Sequence, residues 1–135
     1  MRQMKFRAWD KTYKRMNYKV QVGNTDYSDQ NYTCNSIWVD YSDSKSIGWM
    51  NADEICIELM QCTALKDKNE KEIYEGDIIK TETDKLMVIG WSERFASFCI
   101  EKDEWAYQHF FGEAFEANYC EVVGNKYENP DLLKE

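Results

Sequence analysis

Proline and histidine are almost missing from the chain: Pro130 and His109 are the only ones in 135 residues. Glycine is held to six positions, so neither a collagen-like repeat nor a flexible low-complexity tract accounts for the sequence. The lone histidine narrows catalysis, because a nucleophilic cysteine needs a base beside it and nothing in the sequence selects a cysteine partner for His109. No apolar run approaches the roughly 20 residues that cross a bilayer. The longest, residues 86–91, is the length of a strand, and no apolar stretch follows the charged Arg2, Lys5 and Arg7, so no membrane span or signal peptide is expected. Cysteine pairs are missing too. Cys34, Cys56, Cys62, Cys99 and Cys120 are odd in number, widely spread and without a CxxC, which predicts reduced thiols in a cytoplasmic protein with no native disulfide.

Metal and phosphate motifs are equally scarce. Cys56 and Cys62 have no second pair to complete a zinc site. Asp67-Lys68-Asn69 opens like a calcium loop, but Lys71 and Glu72 replace the third oxygen ligand and the glycine, and Ile78 stands where the bidentate glutamate belongs. No glycine-rich phosphate loop is present, and the pairs Asp53-Glu54 and Asp103-Glu104 read as solvated surface. The sequence therefore predicts no cofactor, no metal and no locatable catalytic residue.

What the chain does have is aromatic residues and charge. Five Trp, nine Tyr and six Phe, within an apolar share of 43%, suffice for one packed domain. The net charge of −8 is uneven. Residues 1–20 carry seven basic groups and one acid, or +6, whereas the rest of the chain carries −14.

Alternation of period two marks the strands. Met4, Phe6 and Ala8 alternate with Lys5, Arg7 and Trp9; Met16, Tyr18, Val20 and Val22 alternate with Arg15, Asn17, Lys19 and Gln21. Asp10-Lys11-Thr12 supplies the turn of a β-hairpin between them. Residues 23–36 read as a polar loop, and 37–39, 47–50 and 55–59 as short strands. The stretch 63–72 reads as a polar turn, and 73–81, 86–91 and 94–100 as three strands. Residues 105–111 fit a strand followed by a turn; 120–123 fit a last strand closed by Gly124-Asn125, with a helical turn capped by Asn129 and started by Pro130. Short strands joined by turns predict a mainly β fold, a small barrel or rolled sheet with an N-terminal β-hairpin region.

Three segments carry a resemblance. They are 4–10 (MKFRAWD), 59–78 (LMQCTALKDKNEKEIYEGDI) and 121–133 (EVVGNKYENPDLL). In this order, across the whole chain, they resemble the YopX family of phage and prophage proteins. The resemblance implies an SH3-like β-roll over about 59–125, a phage or prophage origin and hence a bacterial host cytoplasm, and no catalytic residues to carry across. Residues 20–55 carry no family signal. The family motif usually has glycine where this chain has Ala64 and Glu70, so the turn is expected to be shaped differently here. Organisation is read as 1–58, a hairpin and variable loop region, and 59–135, the roll with its C-terminal helical turn. Within the motif, Gly76 and Asp77 are expected to form the turn that launches the strand at Ile78-Ile79, and Gly124 and Asn125 to have a structural role as well.

Function is read as a non-enzymatic binding or interaction module. The candidate binding residues are Lys5, Arg7, Trp9, Lys11, Lys14, Arg15 and Lys19, where cations interleave with rings. In nucleic-acid binding the cations would neutralise phosphates while exposed rings stack on bases. The bland alternative is a hairpin with Phe6 and Tyr18 in the core and its cations on the outside. A second copy docking the hairpin on its acidic body, or a host protein whose basic groove the acidic body fills as a nucleic-acid mimic, are the other partners the charge admits.

Overall fold

The computed structural model of the chain describes residues 4–23, 36–42, 48–52, 55–94, 96–101 and 117–134. The protein is mainly β, with a sheet curled into a half-barrel and no α-helix among the described residues. Two compact units divide it: Phe6–Met60, and Gln61–Glu135 together with Met1–Lys5.

In the first unit, β1 (Phe6–Asp10) and β2 (Arg15–Asn17) form the hairpin, with Ala8 opposite Asn17 and Asp10 opposite Arg15. The expected second arm does not run on to Val22. It breaks after Asn17, whose Oδ1 accepts the Lys19 N–H at 2.8 Å and whose Nδ2 donates to the Asp40 carbonyl at 2.8 Å. A short amide side chain has offered the backbone a local partner in place of the ladder. The chain resumes as β3 (Val20–Gly23), which pairs with β4 (Ser36–Asp40), itself paired with β5 (Trp49–Asn51). Ala8, Val39 and Tyr41 form this unit's core, with Val20, Met50, Ile55 and Ile57 packed around it.

The chain passes between the units within β6 (Ile57–Lys66). Half of the polar turn expected over 63–72 is therefore strand, and only 67–71 turns. Cys62 faces Tyr74 and Lys66 faces Glu72 of β7 (Glu72–Tyr74), so residues 63–65 oppose Ile73 alone. Two surplus residues make a bulge. Thr63 holds it: its hydroxyl donates to the Ile73 carbonyl at 2.8 Å and accepts the Leu65 N–H at 3.1 Å.

Glu75-Gly76 then splits the strand expected over 73–81 into β7 and β8 (Asp77–Lys80). With β9 (Leu86–Ser92), β10 (Ser97–Ile100) and β11 (Glu121–Asn125), β8 builds an antiparallel sheet ordered β10–β9–β8–β11. Gly124 and Asn125 lie in β11 rather than closing it, because the register slips at Val123, between Val122 and Gly124, and lets both continue opposite Ile78 and Asp77. Ile73, Ile79, Ile89, Ile100, Ala117 and Cys120 form the core of this unit. Ile78 and Ile79 are neighbours that point to opposite faces, and both are fully buried. Each such side chain contributes about 2–3 kcal/mol by leaving water.

Two 3-10 turns, Ala117–Tyr119 and Pro130–Leu133, complete the described residues. Pro130 begins its turn as expected, but Asn129 does not cap it: its Oδ1 instead accepts the Asn125 N–H at 3.1 Å. The strand expected over 105–111 lies outside the described residues, as do His109 and Cys34.

Candidate functional site

Asp10 organises the hairpin on which the basic residues sit. Its Oδ1 accepts the Thr12 and Tyr13 N–H groups at 2.8 and 3.0 Å, folding the turn around the carboxylate. Its other oxygen accepts the Tyr41 hydroxyl at 2.5 Å, and the Arg15 guanidinium lies over the Tyr41 ring at 5.2 Å. Burial and then the bond to Asp10 push the Tyr41 phenol well above its ordinary pKa, so it stays protonated and keeps donating. Sequence reading took Asp10 for a turn residue and missed Tyr41, because 31 positions separate them.

The seven candidate residues do not form one cationic surface. Arg7 is 2% exposed, with its guanidinium beside the Tyr18 ring and 3.5 Å from the Tyr18 hydroxyl. Trp9 and Arg15 are half-buried. Lys11 is ion-paired with Glu58 at 2.6 Å. Lys5, in the other unit, is paired with Glu72, and hydrogen bonding to that carboxylate raises its pKa. Lys14 and Lys19 remain exposed, with Tyr13 at 73% and Tyr18 at 55% exposure. Tyr18 thus stands outside the core, contrary to the bland hairpin reading. Arg7 is inside because it alternates onto a face that the fold covers, which no local pattern reports.

The acids of the second unit do structural work. Asp67 Oδ1 accepts the Asn69 and Lys71 N–H groups at 2.8 and 2.9 Å, and Oδ2 accepts that of Val122 at 2.9 Å. The calcium-like opening is a loop wrapped around its own carboxylate and tied to β11. Burial alone would raise the Asp67 pKa, but the three donors outweigh it and hold it low. Asp77 Oδ2 accepts the Tyr74 N–H at 2.8 Å and closes the turn at Gly76, whose φ is +84°. Gly76 also bonds at both ends, its N–H to the Ile89 carbonyl and its carbonyl to the Lys126 N–H. Asn125 gathers the Tyr127 and Glu128 N–H groups on its Oδ1 at 3.1 and 2.8 Å. Ala64 and Glu70 keep left-handed backbone, φ +68° and +66°. Both positions thus hold a backbone conformation that glycine adopts without strain.

Burial pushes the Cys62, Cys99 and Cys120 thiols up, away from the thiolate a nucleophile requires. Cys56, by contrast, is exposed. Large side chains remain accessible on this unit. Trp91 is 43% exposed and meets Phe98 edge-on at 5.1 Å across β9 and β10. Tyr119 is 54% exposed and lines an open groove of about 430 Å³ with Glu82, Asp84, Glu121, Lys68 and Lys80. Neither was singled out from sequence, since exposure of a ring is decided by what packs around it.

Among described residues no helix is long and apolar enough to cross a membrane. No curated protein matches the sequence. The chain is similar to a solved structure, that of protein EF1440 from Enterococcus faecalis, at 28% identity over 99% of this chain and 100% of that one, with a TM-score of 0.67. The YopX protein family matches residues 5–134, nearly end to end, and takes in the hairpin, the Asp67–Asp77 motif and β11 together: the chain belongs to the YopX family.

Proposed function

We propose that the protein is a non-enzymatic interaction module, encoded by a phage or prophage, whose second unit is an SH3-like β-roll acting in the bacterial cytoplasm. One observation carries this reading. The buried acids Asp10, Asp67 and Asp77 bond to backbone N–H groups of their own loops, while rings such as Trp91 and Tyr119 stand exposed. Carboxylates used in this way build a scaffold, and exposed aromatic side chains are what protein interfaces use as anchors. Affinity capture from prophage-induced cells, with and without nuclease, tests it. A stoichiometric protein partner that survives nuclease is the expected result; recovery of nucleic acid alone would overturn it.

Nucleic-acid binding by the hairpin is the second reading, favoured by exposed Tyr13 and Tyr18 standing among Lys14 and Lys19. It requires log affinity to fall with log salt at roughly −0.7 to −0.9 per phosphate neutralised. With Arg7 buried and Lys11 paired to Glu58, the slope would come from few contacts. Reversing Lys14 and Lys19 to Glu should remove any such binding. The acidic-mimic reading would instead show the body competing with DNA for a basic host protein.

A further inference from the structure

The groove beside Tyr119 has a charge pattern that selects its occupant. It lies between the β8–β9 turn and the 3-10 turn Ala117–Tyr119, and its volume of about 430 Å³ falls in the range of ligand clefts. Two of its acids are already answered: Lys80 sits 3.4 Å from Asp84, and Lys68 sits 3.6 Å from Glu121. Among the described residues Glu82 has no counter-ion, and Tyr119 forms no side-chain hydrogen bond, ring stack or cation–π pair. Asn118 adds an exposed amide. An uncompensated carboxylate that lines one groove with an exposed aromatic ring and an amide oxygen is a set of groups that can receive a guanidinium, through an ion pair, a stacked cation–π contact and a hydrogen bond.

Other occupants fit less well. Both lysines are engaged, so a phosphate would meet Glu82 unopposed. No group of three acidic, histidine or cysteine side chains among the described residues is placed to hold a metal ion. The lining is polar, which disfavours an apolar ligand.

We propose that this groove receives an arginine side chain from a basic segment of another protein. The inference rests on the interaction-module reading and names the chemistry of its partner.

The test is a titration of isotope-labelled full-length protein with the blocked peptide Ac-Ala-Arg-Ala-NH2, followed by amide NMR shifts. The expected result is saturable shifts at Glu82, Asn118 and Tyr119, weakened about fivefold by Glu82→Gln, the effect of one exposed ion pair. Tyr119→Leu should weaken them also, whereas Tyr119→Phe should not. The same peptide with citrulline, which keeps the shape and removes the charge, should give no saturable shift. Equal shifts with citrulline, or unchanged affinity in Glu82→Gln whose spectrum is otherwise native, would overturn the proposal. So would the same shifts appearing with protein concentration alone, because the occupant would then be a second copy. Saturable shifts around Trp91 with a silent groove would sink the groove and leave the module standing. Groove binding without any captured partner would do the reverse.

Discussion

Asp67 is a buried charge surrounded by three backbone N–H donors, and its effect on stability has a defined sign. Its folded-state pKa lies below the ordinary carboxylate value. The stabilisation is therefore complete above that ordinary value and is lost as pH falls through the lowered one. Asp67→Asn should cost about 1–3 kcal/mol at neutral pH and flatten the acid limb of stability. Urea melts between about pH 3 and 7 measure both, and an acid limb as steep as wild type would refute the assignment. Glu70 carries the opposite kind of residue-scale effect. A non-glycine residue at φ +66° costs roughly 1–2 kcal/mol, and its ion pair with Lys66 spans 3.8 Å between exposed groups. Glu70→Gly should therefore raise stability by up to about 1 kcal/mol, after the larger unfolded-state entropy of glycine is subtracted. A drop in the denaturation midpoint would show that the strain is absent.

At the scale of elements, β8 and β11 hold the second unit together. Ile79→Ala and Ile78→Ala should each cost about 2–5 kcal/mol, because each leaves a cavity on a different covered face of the same strand. Near-wild-type melting of both variants would mean that β8 is misplaced. Gly124 is needed in β11 for space. A Cβ there would come within 2.5 Å of Asn129 Oδ1 and 3.0 Å of its Cβ. Gly124→Ala should displace Asn129, break its bond to the Asn125 N–H and cost about 1–3 kcal/mol; chemical denaturation of the variant measures it. The sequence showed these strands through alternation, and it showed the Gly76-Asp77 turn through residue type. It misread 63–66, since Thr63 and Ala64 look like turn residues and become strand only through the bulge opposite Ile73.

For the molecule as a whole, thiol chemistry reports burial directly. Cys56 should react at once with a thiol reagent in the native protein, while Cys62, Cys99 and Cys120 should be protected until unfolding. All five thiols should titrate in denaturant. Mass spectrometry of timed labelling decides this, and a bridged pair in the freshly purified protein would contradict it. The sequence by itself determined the mainly β class, the family and the turn at Gly76-Asp77, because these depend on short-range periodicity and on residues with special backbone geometry. It could not assign the cations of the hairpin. Lys11 meets Glu58, Lys5 meets Glu72 and Arg7 is enclosed, and each of those outcomes follows from chain segments brought together from dozens of positions away. Tertiary structure likewise joined Asp10 to Tyr41 and Asp67 to Val122. Charge and hydrogen-bonding capacity are written in single residues, whereas which of them stay open to a partner depends on packing across the fold.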